Sequence, residues 1–360
     1  MNATREVVQP EKLLTQLESL WTEFGKSGDS AENGLLRACS LTWITVVEGD
    51  DASVTEVDAM LADVMRMNPA RAIVVLLRQG DERGLKGSVS AQCWRPFGSK
   101  QQVCIERVLL DTTRAGACDL PAVIRALIVA DLPTVMFCRN AHLLTVPGVK
   151  EASGLADRVV VDMAWHGAEC RDVWPRMPEF GSLVSDLAWD RIRGYRGAMA
   201  QYFDTPANRE LLKDLRAVRV ATRPERPAPE AAYLLAWILG SLGYQRANGF
   251  EWRKADATVR AGFRAMRGDE PNPADSRIHL VDFIGARETL RFTVAARELS
   301  IAETEDASEI VVPVPAFEPD TALLSDEMMV ERRRRTFEQH LGATIRLFEE
   351  PVYFADEQPH

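Results

Sequence analysis

The chain has 360 residues, 46% hydrophobic and 27% charged, with 43 basic against 53 acidic side chains and a formal charge of −10. That length accommodates two domains with ample core, and the acidic balance disfavours both sequence-independent nucleic-acid binding and an anionic membrane surface. No apolar run approaches the ~18 residues that a spanning helix needs, and a polar start followed by an amphipathic helix does not read as a signal peptide.

Pro10–Gly25 places Leu13, Leu14, Leu17, Leu20, Trp21 and Phe24 on one helical side, and a polar linker follows to Gly34. LTWITVV at 41–47 predicts a strand. Apolar residues at 54, 57, 60/61 and 64/65 predict a helix that Asn68-Pro69 ends. The continuous run AIVVLL at 72–77 suits a strand covered on both faces. Strand, helix, strand is the unit of a parallel sheet. Residues 86–95 and 101–112 alternate and predict a hairpin around a loop at Phe97–Lys100. Asp119 is placed to cap a helix through Val129, with Pro121 in its first turn. Thr134–Cys138 and 158–163 predict further strands, with a short helix from Pro147 between them.

Pro175 and Pro178 break the pattern and predict a boundary near 168–178. Beyond it, Leu183–Asp204 reads as one helix started by Ser185 or Asp186, with Leu187, Ile192, Tyr195, Met199 and Tyr202/Phe203 on one face. Ala217–Ala221 predicts a strand, and 230–242 an apolar, buried helix. Strands over 258–266, 277–285, 289–296 and 299–304 suggest an antiparallel meander, 311–315 an edge piece with two prolines, and 320–341 a last helix. The expectation is an α/β chain of two domains. Residues 1–34 are a helix and linker, 35–172 a mostly parallel sheet with an inserted antiparallel hairpin, 173–350 an α+β domain with a meander and flanking helices, and 351–360 a tail.

The residues hold little catalytic chemistry. Gly25-Lys26-Ser27 lacks the first glycine of a phosphate loop and follows a helix instead of a strand. The five histidines are scattered, without metal spacing, so no cofactor or metal is called for. Asp162, at a strand end, and His166, near Glu169 and Cys170, mark the place where an α/β enzyme or a sensor handling a sugar phosphate would have its site; a turn-capping carboxylate and a loop histidine are the structural alternatives. Six cysteines without a CxxC fit a cytoplasmic chain with reduced thiols. Cys93 and Cys104 fall opposite each other in the hairpin, either as two packed small side chains or as a redox pair. The Glu331–Arg335 run reads as a solvated helix surface.

In the central stretch, Asp186, Leu187, Trp189, Arg191, Ile192, Tyr195, Arg196, Ala200, Gln201, Phe203 and Asp204 resemble the central motif of the OpcA family, the glucose-6-phosphate dehydrogenase assembly proteins. Further segments resemble the family in order: Asn68-Pro69-Ala70-Arg71, Gln101–Glu106, Ile128–Phe137, Arg158–Asp162 and Leu323–Glu327. Phe137-Cys138 and the glycines 194 and 197 depart from its pattern. The resemblance implies a non-enzymatic assembly factor or allosteric activator that binds glucose-6-phosphate dehydrogenase. Trp189, Arg193, Tyr195, Arg196 and Tyr202, with the Asp131-Leu132-Pro133 corner, are then the expected contacts, since aromatics and arginine anchor interfaces. Buried arginine–carboxylate pairing is the alternative use of such a motif. Some relatives are linked to thioredoxin control, for which Cys93 and Cys104 offer the geometry.

Overall fold

A computed structural model describes residues 8–26, 35–95, 102–165, 172–180, 183–222, 227–266, 278–294, 298–303, 309–313, 320–328 and 335–354. The chain divides into two compact units, each with its own sheet. Of the described residues, the first holds those up to Trp165 and those in Asp172–Asp186 and Asp320–Arg333; the second holds those in Leu187–Pro319 and Arg334–His360. The division therefore falls at Asp186–Leu187, later than the prolines suggest, and the first unit recovers a short segment from near the C-terminus.

The first unit contains α1 (Pro10–Lys26), β1 (Leu35–Arg37), β2 (Leu41–Glu48), α2 (Asp51–Met67), β3 (Ala70–Arg78), β4 (Leu85–Trp94), β5 (Gln102–Thr113), α3 (Leu120–Leu127), β6 (Thr134–Cys138), α4 (Pro147–Ser153), β7 (Arg158–Val161) and β8 (Val184–Asp186). The strands order as β1-β5-β3-β2-β6-β7-β8 and pair in parallel, while β4 pairs antiparallel with β5. Helix-linked neighbours leave β2 in opposite directions, so the β2/β6 junction is the topological switch point. The run at Ala72–Leu77 is buried throughout, as a doubly covered strand requires. The hairpin forms as expected, with Cys93 opposite Cys104; its loop at Phe97–Lys100 lies outside the described residues. The helix after Asp119 ends at Leu127, and Asp119 stands at its N-cap without a side-chain capping bond.

The predicted helix over Leu183–Asp204 is three elements. Val184–Asp186 is β8, which extends the first sheet beside β7. The second unit then begins with α5 (Leu187–Arg191) and α6 (Arg193–Phe203), separated at Ile192. It continues with α7 (Glu210–Lys213), β9 (Ala217–Thr222), α8 (Pro229–Ser241), β10 (Gln245–Asn248), β11 (Glu251–Lys254), β12 (Ala257–Ala265), β13 (Leu280–Ile284), β14 (Thr289–Val294), β15 (Glu298–Glu303) and β16 (Glu309–Pro313). Its sheet runs β10-β11-β12-β9-β13-β14-β15-β16. The meander from β13 to β16 is antiparallel, and β12 pairs with β9 in parallel. The final predicted helix is also divided, into α9 (Asp320–Glu327) of the first unit and α10 (Arg335–Glu349) of the second. Of the Glu331–Arg335 run, residues 331–334 lie outside the described residues, and Arg335 begins α10. No described helix is long and apolar enough to cross a membrane.

Candidate functional site

The switch point is where an open parallel sheet offers a ligand crevice, and a helix N-terminus there normally presents backbone N–H groups to phosphate. In this chain those groups are already engaged. Asp50 caps α2, its Oδ1 accepting from the N–H of Ala52 at 3.0 Å and of Ser53 at 3.2 Å. The sharp turn depends on Gly49 at φ +149°, where a Cβ would collide with the Ser53 hydroxyl. More carboxylates surround the cap. Glu48 accepts two bonds from Arg114 at 2.6 and 2.8 Å. Arg78 bridges Asp111, at 3.0 and 2.9 Å, and Asp51, at 2.5 Å. A phosphate entering here would meet three carboxylates and displace the Asp50 cap, so this turn does not fit a nucleotide diphosphate.

On the far side of the switch point, Asp162 is buried and its carboxylate accepts from the N–H of Ala164 at 3.2 Å, which is the turn-capping alternative. Asp186 accepts from the Met163 N–H at 3.2 Å. His166, Glu169 and Cys170 lie outside the described residues. After β6, Arg139 stacks 3.3 Å over the Trp165 ring, which is 45% exposed, and pairs with Asp320 at 3.6 Å. Among the described residues no group of three or more His, Cys, Asp or Glu side chains is placed to hold a metal ion.

The aromatic and aliphatic residues at the start of the central motif face inward, while Ala200, Gln201 and Asp204 are exposed. Trp189, 3% exposed, packs edge-on to Tyr233 and Phe337 with centroids 5.7 and 5.8 Å away, and beside His340 at 6.3 Å. Arg196 covers the ring at 3.4 Å and reaches the Trp189 carbonyl at 3.4 Å. Tyr195 is equally buried, and burial pushes its phenol pKa up. Two carboxylates beneath the helices are also buried: Asp190 meets Arg193 at 3.7 Å, and Glu230 meets Arg191 at 3.8 Å. The expectation that Trp189 and Tyr195 are surface anchors is therefore corrected, because their apolar faces complete the core of their own unit. Arg193 is exposed; Arg196 and Tyr202 are half-buried, and Tyr202 lies against Phe203 and Phe292.

The other motif-bearing segments also meet as framework. Arg71 Nε donates to Glu106 at 2.6 Å and its Nη1 to the Leu127 carbonyl at 2.8 Å; Trp21 Nε1 and Arg37 join the same carboxylate. Arg158 donates to Glu327 Oε2 at 2.7 Å, and the Ser185 hydroxyl to the same oxygen at 2.5 Å, all buried. No periodicity could have found these pairs, since 35 and 169 residues separate the partners. The Asp131-Leu132-Pro133 corner stands before β6, with Asp131 exposed in the left-handed region at φ 63°, which an aspartate tolerates better than most residues. Cys93 and Cys104 are joined as a disulfide, so the paired alternative is the one found, in place of two packed thiols.

Residues 62–176 match a family model described as the glucose-6-phosphate dehydrogenase subunit N-terminal domain, and 182–341 the corresponding C-terminal domain. A relative from Nostoc punctiforme, described as an OxPP cycle protein OpcA, is 25% identical over 186 residues, 51% of this chain and 40% of the relative. A second, from Synechocystis, is 22% identical over 189 residues, 49% of this chain and 39% of the relative. The chain thus matches about two fifths of the length of these curated relatives. Among solved structures, a 3-ketoreductase from Actinomadura kijaniata is 11% identical, with TM-score 0.45, covering 88% of this chain and 100% of that one.

Proposed function

Since this chain belongs to the OpcA family of glucose-6-phosphate dehydrogenase subunits, we propose that it is a non-enzymatic partner that binds the dehydrogenase and favours its active state. What carries the reading is the family match through both halves of the chain, 62–176 and 182–341. The switch-point turn supports it, because Glu48, Asp50 and Asp51 occupy the place where a nucleotide-dependent enzyme would hold phosphate. A binding protein activates by differential affinity: it shifts the dehydrogenase toward whichever state it binds more tightly.

The proposed contacts are two side chains of the central stretch that reach the surface, Arg193 and the edge of Tyr202, together with the Asp131-Leu132-Pro133 corner. Trp189, Tyr195 and Arg196 hold the helices that present them. Thiol redox state would enter at Cys93–Cys104, and a thioredoxin-type dithiol is the reductant the resemblance implies. The strand register from Leu85–Thr112 to Trp94–Val103 flanks that bond on both sides, so reduction is expected to leave the hairpin paired.

The test is a steady-state assay of the dehydrogenase from the same source over a range of glucose 6-phosphate, with and without this chain. The expected result is a lowered half-saturation or a raised rate that saturates with this chain, and a weaker effect with Arg193→Ala. An unchanged rate together with separate elution on a sizing column would sink the proposal.

A further inference from the structure

The second unit contains a cleft of about 600 Å³ lined from three places in its sequence. Arg209 and Lys213 come from around α7, Leu242 and Tyr244 from the turn after α8, and Lys254 to Ala257 from the β11–β12 hairpin. That volume is in the range of small-molecule sites. The floor is apolar, formed by Leu212, Leu242 and the ring of Tyr244, while the rim carries three cations and one carboxylate, Asp256.

Two of the cations are held in place by main-chain carbonyls, which leave their charge uncompensated. Lys254 Nζ donates to the Leu242 carbonyl at 2.6 Å and stands 5.8 Å from the Tyr244 ring centroid. Its stem lies along Gly243, at φ +82°, where a Cβ would come within 3.3 Å of Lys254 Cε. Arg209 donates to the Asp204 carbonyl at 3.2 Å. Lys213 differs, because Glu210 already pairs with it at 2.7 and 2.8 Å. The hairpin that carries Lys254 turns through Ala255 at φ 43°, a conformation that an L-residue adopts only when its surroundings hold it there.

We propose that this cleft binds a small organic phosphate, whose anion lies between Arg209 and Lys254 and whose body rests on Tyr244 and the two leucines. The inference does not depend on the contacts proposed for the dehydrogenase. An apolar floor selects for an organic body, and two cations tied only to carbonyls select for its charge.

Calorimetric titration of the full chain with phenyl phosphate tests it, with phenol and inorganic phosphate as comparators. Phenyl phosphate is expected to bind saturably at one site and more tightly than either comparator. Lys254→Gln and Arg209→Gln are each expected to weaken it about tenfold, near 1.4 kcal/mol. Arg125→Gln, an exposed arginine of the first unit, is expected to change nothing. Absence of saturable heat, or variants at Lys254 and Arg209 that titrate like the parent, overturns the proposal. Binding of an oligoglutamate peptide in place of phenyl phosphate also overturns it. Lys254 anchors its own turn, so Arg209→Gln keeps the test decisive if Lys254→Gln perturbs the hairpin.

Discussion

In the second unit Arg196 lies 3.4 Å over the Trp189 ring, and in the first Arg139 lies 3.3 Å over Trp165. The pairings are nearly identical in geometry and opposite in setting, since Trp189 is 3% exposed and Trp165 is 45% exposed. A desolvated cation–π contact is worth about 2 kcal/mol and an exposed one about 0.5–1. Around Trp189, Tyr233 and Phe337 add edge-to-face packing; the Trp165 stack has Asp320 as its charged neighbour. Tryptophan and arginine together therefore do not mark an interface by themselves. The rest of the cage decides whether they hold a core or present a surface.

The comparison predicts its largest effect at Trp189. Trp189→Ala is expected to cost about 3–5 kcal/mol in urea unfolding, through lost burial and the cavity left behind. A loss below about 1 kcal/mol would mean that the ring is not part of the core. A smaller effect is expected in the pH dependence. Burial, and then the charge of Arg196, hold the His340 pKa below its ordinary value of 6.5. The unfolded chain takes up this proton at a higher pH than the folded chain, so the His340 contribution is present above that value and is lost as pH falls toward the folded pKa. Arg196→Gln removes one of the two causes. Its unfolding midpoint should fall less than the parent's between about pH 7.5 and pH 5.5, and an equal fall would show that Arg196 does not act on this histidine. The smallest effect is expected at Trp165→Ala, within about 1 kcal/mol of the parent in the same unfolding measurement. A loss as large as that at Trp189 would erase the distinction between the two stacks.

The apolar run at 72–77 and the alternation at 86–95 were sufficient to read β3 and β4, because burial on two faces or one imposes those patterns directly. The helical spacing put Leu187, Ile192, Tyr195 and Met199 on one face, and all four are buried, but periodicity does not say whether such a face meets the chain's own core or a partner. Val184–Asp186 became a strand through pairing with β7, a non-local contact that outweighs local helical spacing in three residues. Gln245–Asn248 and Glu251–Lys254 were missed for a related reason. They lie at a sheet edge and bury Trp252 alone, so they carry almost no apolar alternation. The cleft beside them was invisible for the same cause, as its cations come from segments more than forty residues apart.

The bond from Arg158 to Glu327 has a consequence for the order of events in the cell. The two residues are 169 positions apart yet belong to one unit. At about 5–20 residues per second, roughly ten to thirty seconds of translation separate them. Throughout that interval the nascent first unit has Arg158 but lacks the Glu327 carboxylate it donates to. The first unit therefore completes this ion pair only after residues 187–319 of the second unit have been synthesised.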